Sequence, residues 1–456
     1  MTRMTNDKFS MTNSQFRLPP IVGPLPRCLF APSRLRAFAL KSCAFAALAL
    51  SLCGPPKSQA GVFLPGSPML TVRCNHTATL LPNGKVLVAG GDMTGTAELY
   101  DPATGNWTAT GAMSTARSHH AAVLLNNGKV LVVGGGRKTE WIASPETELY
   151  DPATGKWRLT GALHTGSFFF TTATLLPDGK VLATGDQEIG VDLASKATFE
   201  ERAAQRVTQE GPSTSEIYDP ATETWAKTLP MKTTFRWPTA TLLKNGQVLL
   251  AGAQTPGALH SRDGNGKLLG GRIGLFSGNP SGAELYNPAS GEWKTISNAM
   301  SMIDNRFHTT TLLFNGKALF VGEQNDLNPD SSDQIFDPAG GTWSAAASMT
   351  EQRGDHTATV LRDGKVLAVG GFGKSQAGRL QLPPGHRDTL SSAELYDPVS
   401  GRWTLLPSHL ATGRLWHTAT LLPDGEVLIA GGHSPNGPIS STEIYDPEYD
   451  KETPLR

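Results

Sequence analysis

Cysteine is scarce: the 456-residue chain has four, and Cys28, Cys43 and Cys53 all precede residue 60. Cys74 stands alone in the remainder, which excludes an intramolecular disulfide there. Charge of either sign is also sparse, with 40 Lys/Arg balanced by 40 Asp/Glu. No apolar run is long enough to cross a bilayer as a helix. The main one, Ser42 to Leu52, falls well short of the ~20 residues a span requires. Gly-x-Ser-x-Gly, His-Glu-x-x-His, P-loop and paired-cysteine zinc motifs are missing, so no standard hydrolase, metalloprotease, nucleotide or zinc signature is present.

What is plentiful is turn chemistry, with 49 Gly and 32 Pro. That composition suits many short strands joined by turns and not a helical bundle. The first sixty residues differ from the rest. Arg34, Arg36 and Lys41 precede the apolar run, and Ser58-Gln59-Ala60 followed by Gly61 resembles a signal-peptidase site. The expectation is a leader over 1–60 and an exported domain over 61–456, secreted, periplasmic or on the cell surface. A lipoprotein anchor at Cys53 is the lesser alternative, because Leu52 is too large for the position before a lipidated cysteine. Taking away the eight basic residues and one acidic residue of 1–60 leaves 32 and 39, a net of −7. Nucleic acid and anionic bilayers are therefore poor partners.

One unit recurs seven times. Blocks of the type HTATLL begin near His76, His120, Thr171, Pro238, His308, His356 and His417. Each is followed by Asn-Gly or Asp-Gly, as at Asn83-Gly84 and Asp363-Gly364. Such a pair between apolar runs signals a hairpin, with positive φ expected at both turn residues. A β-branched run ending in glycine follows, then a segment like AELYDPATGNW with an Asp-Pro or Asn-Pro turn and a tryptophan. Four strands per unit predict an all-β, seven-bladed β-propeller. Hairpin, Gly-Gly, Tyr-Asp-Pro and Trp together resemble the kelch repeat over residues 62 to about 449. The last unit lacks its tryptophan strand, so an N-terminal strand within 62–69 is expected to close the ring.

Strand parity puts the Asn-Gly and Asp-Pro turns on one face, B, and every variable loop on the other, A. Binding residues belong on A, on loops held by a rigid scaffold. Three insertions enlarge it: 186–214, with a short amphipathic helix expected in 194–210, then 253–281 and 372–391. An arginine recurs at Arg73, Arg117, Arg236, Arg306, Arg353 and Arg414, and a histidine at His76, His120, His308, His356 and His417. Repetition argues for a structural role in the histidines. The arginines divide between structure and bidentate binding of a carboxylate or sugar hydroxyl. Departures from the repeat are sharper candidates: Phe169 within Ser167–Phe170, Trp237, Phe307, Asp355, Trp416 and the extra His119. Aromatics beside arginines suit stacking on a sugar or peptide, and equally suit plugging of the central channel. Loop carboxylates Asp186, Glu188, Glu323 and Asp326 have no spacing that shows convergence.

These blades also resemble the catalytic propeller of galactose oxidase and related copper radical oxidases. The resemblance implies a cysteine–tyrosine crosslink, a Tyr-His pair and a further histidine as the metal site. Cys74 lies near the place of that cysteine, one residue out of register. His119 holds the place of the crosslinked tyrosine, and Trp416-His417 stands where the family has Tyr-His. Without the tyrosines the radical cofactor cannot form. No cofactor is expected; His119, His120 and His417 with Cys74 remain weak candidates for copper or zinc. The function expected is recognition of an extracellular glycan or protein through face A, with a carbohydrate-active enzyme at the axis as the alternative.

Overall fold

The structure is a computed structural model that describes residues 61–137, 142–164, 167–188, 215–233, 235–254, 281–296, 307–322, 333–373 and 389–449. The leader, the helix expected in 194–210 and most of the three insertions lie outside the described residues. Within them the protein is all-β, with seven antiparallel four-stranded sheets. Blade 1 runs Thr77–Leu80, Val86–Ala89, Ala97–Asp101 and Asn106–Thr110 from the axis outward, and blades 2 to 6 repeat that order. The innermost strands neighbour one another around a closed circuit, the seventh beside the first. In blade 7 the outer strand is Val62–Gly66, paired with Thr442–Asp446. Phe63 packs on Tyr445 at 5.1 Å, where Tyr100–Trp107 and five similar pairs hold tryptophan in the other blades.

Second strands such as Val86–Ala89 and Val130–Val133 are wholly buried, and cores form between neighbouring blades. Val86 and Val88 of blade 1, for example, pack with Leu428 and Ala430 of blade 7. β-branched and leucine side chains suit this place because both sheet faces are covered.

The face B turns differ from expectation. In the Asn-Gly and Asp-Gly turns only the glycine takes positive φ, as at Gly84 (φ 81°), while Asn83 does not. Leu81 N–H donates to the Lys85 carbonyl and Gly84 N–H to the Leu81 carbonyl, a three-residue loop ending in a left-handed glycine. The Asn83 side chain instead accepts the Lys85 N–H at 3.1 Å. A carboxylate accepts equally well, so Asp178, Asp363 and Asp424 replace asparagine without changing the turn.

Candidate functional site

The recurring arginines are buried where their side chains are described. Arg73, Arg117, Arg353 and Arg414 are at most 1% exposed. Each guanidinium bonds a buried glutamate of its own blade: Glu98 at 2.5 Å, Glu148 at 3.0 Å, Glu394 at 3.1 Å and Glu443 at 2.6 Å. Each also donates to the carbonyl of the first glycine of the blade's Gly-Gly pair and to a carbonyl of the following loop. The glutamates further accept backbone N–H groups ahead of the arginine, as Glu98 does from Leu70 and Thr71. With these partners the guanidinium staples the Gly-Gly loop to the blade.

Arg236 and Arg306 are not of this set. Counting back from the inner strand, Phe235 takes the arginine's place in blade 4 and is 1% exposed. The Arg236 backbone pairs with Ala253 in the ladder, and Arg306 lies outside the described residues. The histidines clamp blades together. His76, His120, His308, His356 and His417 each bring Nε2 to 3.0–3.1 Å of a threonine hydroxyl in the preceding blade, for example Thr418 for His76 and Thr357 for His417. Burial, reinforced by the nearby Arg73 charge, lowers His76 to about 3, so its ring is neutral at physiological pH.

The residue just before that histidine, or before Pro238 in blade 4, lies at the mouth of the axis. Asn75, His119, Trp237, Phe307, Asp355 and Trp416 all have positive φ, between 46° and 67°, and all are partly exposed. They form parts of a backbone circuit: Asn75 N–H donates to the Trp416 carbonyl, His119 N–H to that of Asn75, and Asp355 N–H to that of Phe307, each at 3.1 Å. Phe169, in the strand Ser167–Leu175, lies opposite Asp186 next to a register shift. Two aromatic groups result. Trp237 packs on Phe307 at 5.7 Å and Phe307 on Phe372 at 5.6 Å; Trp416 meets His433 at 5.7 Å and His119 at 6.5 Å. Asp355 lies between Phe307 and Trp416 in the order of blades.

Asn75, Phe372 and His433 were missed from sequence. Asn75 shares the register of His119 and Trp416. Phe372 and His433 each directly follow a Gly-Gly pair and bridge to Gly354 and Leu415, which follow the buried arginines. That position relative to the glycines was the available signal.

The weak metal set does not assemble. Cys74 is 1% exposed and buried beneath the mouth register, which Asn75 holds instead. His417 is spent on Thr357. No group of three or more His, Cys, Asp or Glu among the described residues is placed to hold a metal ion. With His119 and Trp416 where the oxidases carry tyrosine, these residues do not fit a copper radical centre.

Comparison with known proteins agrees with the geometry. The kelch motif family matches residues 353–409. A kelch repeat and BTB domain-containing protein of Caenorhabditis elegans, F47D12.7, is 30% identical over 140 residues, 30% of this chain and 21% of that protein. The N-acetylneuraminate epimerase of Yersinia pestis (strain Pestoides F) is 28% identical over 96 residues, 21% of this chain and 23% of that enzyme. The chain thus matches under a quarter of the length of either relative. A copper-bound fungal alcohol oxidase of the AA5 family superposes with a TM-score of 0.63 at 18% identity, covering 87% of this chain and 79% of that one, which speaks for the fold. Repeat pattern, sheet order and these likenesses converge: the chain is a seven-bladed kelch-repeat β-propeller of galactose oxidase-like fold, without that enzyme's tyrosines.

Proposed function

We propose that the chain is an exported kelch propeller that recognises a glycan or protein ligand through the axial mouth of face A. One observation carries the reading. Six blades place a non-glycine residue in the left-handed region at the same position, and three of the six are Trp or Phe. Glycine would occupy that backbone without strain, and bulky side chains there cost of order 1 kcal/mol or more each. Strain retained at one site for the sake of its side chains is a mark of binding. Aromatic faces beside Asn75, His119 and Asp355 suit ring stacking with hydrogen bonds at the rim. The leader-like 1–60 segment supports export.

A glycan and peptide array with the mature protein tests this, alongside Trp416→Gly and Asp355→Gly. Binding should vanish in the tryptophan variant. Asp355→Gly should lower stability by no more than about 1 kcal/mol, since it relieves the backbone. A large loss of melting temperature in Asp355→Gly, with ligand binding intact, would mean the ring is structural. The likeness to an oxidase fold and to an epimerase favours a second reading, a carbohydrate-active enzyme at the same mouth. Turnover in hydrolase, epimerase or oxidase screens, lost in Trp416→Gly, would select it over binding alone.

A further inference from the structure

Trp416 stands between two imidazoles, inclined to their rings by 68° for His119 and 74° for His433. His433 is brought there by a short ladder, His433–Ser434 with Gly437–Pro438, and its backbone exchanges both hydrogen bonds with Leu415. Both rings are partly exposed at the mouth, unlike the five clamping histidines beneath. Ser118 Oγ lies 3.3 Å from His119 Nδ1. Among the described residues these charged and titratable groups lie around the trio. Arg117 and Arg414 lie below, each already paired with a glutamate; His120 and His417 are buried and neutral; Asp355 precedes Trp416 in the order of blades.

Resting on the axial mouth as the recognition site, we propose that His119 and His433 make it proton-responsive. The described lining of the mouth holds the Asp355 side chain and these two imidazoles. Acidification adds two positive charges beside Trp416 and turns the preference toward ligands bearing a carboxylate, such as uronic acid-containing glycans. Imidazole is the side chain suited to this, because its charge ordinarily changes between about pH 5 and 8.

The first test needs no ligand. A protonated imidazole quenches an adjoining indole, so the fluorescence of Trp416, taken as wild type minus Trp416→Phe, is followed over about pH 5 to 8. It should fall in a sigmoid on acidification, and the step should disappear in the His119→Gln/His433→Gln double variant. A flat difference, or a step that survives in the double variant, overturns the proposal. The second test is the array at both ends of that range. Binding of uronic acid glycans relative to neutral ones should rise severalfold at the acidic end in wild type and stay constant in the double variant. Equal ratios at both ends overturn the ligand preference. No binding at either pH defeats the recognition reading and the preference with it, while the fluorescence step alone decides the proton response.

Discussion

Blades 1, 2, 6 and 7 and blades 3 and 4 begin from the same strand pattern and leave face A in different ways. The first four carry the arginine, its buried glutamate and two successive glycines. At Gly91 (φ 74°) an added Cβ would lie 2.5 Å from the Cys74 carbonyl, so the chain can turn there only without a side chain. The turn brings the loop carbonyl at Thr96 to the Arg73 guanidinium. Blades 3 and 4 have Asp186 and Ala253 where the second glycine would be, and phenylalanine in place of arginine. There the ladder continues: Phe169 pairs with Asp186 and Arg236 with Ala253, after a register shift in each blade. Their inner strands run nine and eight residues against four elsewhere. The same blades lack the clamping histidine. Their glutamates remain, and Glu216 now takes His164 Nδ1–H at 3.0 Å in place of a guanidinium. A stapled loop and an extended hairpin are alternative solutions for one strand end.

The comparison breaks most severely if a staple is removed. Arg117→Ala leaves Glu148 buried and uncompensated, and should cost about 3–5 kcal/mol in denaturant unfolding. A next step asks whether the two solutions interchange. Phe235→Arg places a guanidinium near Glu284, but the Gly252 segment that would receive it is already in the ladder. It should destabilise by about 1–3 kcal/mol through overpacking; a gain in stability would show that staple and hairpin are equivalent.

A pH scan of melting temperature separates the regions further. Asp333, buried at the blade 5–6 junction, is pushed up to about 7 by burial. Its folded value exceeds its unfolded one, so its contribution is full below about pH 4 and is lost as pH rises through about 7. Asp333→Asn should flatten that limb. His76 and His356, lowered to about 3, act in the opposite sense: their contribution is full above about pH 6.5 and is lost as pH falls toward 3. Acid should therefore loosen the five histidine-clamped junctions before those between blades 2 and 3 and between 3 and 4. Hydrogen exchange resolved by blade would read this, and uniform exposure would count against it.

The smallest effect belongs to face B. Lys85–Asp101 and its equivalents are partly exposed pairs, and blade 4 replaces both partners at once with Gln247 and Asn287. Installing Lys and Asp there should leave the melting temperature unchanged within error.

Much of this was open to reading in the chain itself. Blade number, strand order and both turn positions follow from a local repeat, because each hairpin is built from residues near in sequence. The link between arginine and the second glycine was also visible across units. Yet treating Arg236 and Arg306 as members of the arginine series hid it, since both are one residue out of register. The buried glutamates carry no local mark that distinguishes them from solvated charge. Their partners lie 25 to 41 residues away, so spacing alone does not reveal a staple.

Sequence by itself determined the architecture: period, hairpin turns and strand alternation are short-range properties, and seven copies leave little freedom. Tertiary structure decided what the recurring polar residues do. Arginine and histidine look alike as staple or as ligand contact until burial removes water from one set and leaves the other at the mouth. It also decided which departures meet. Asn75, His119 and Trp416 come from units at opposite ends of the chain, and only closing the ring links them, through hydrogen bonds between one blade's backbone and the next.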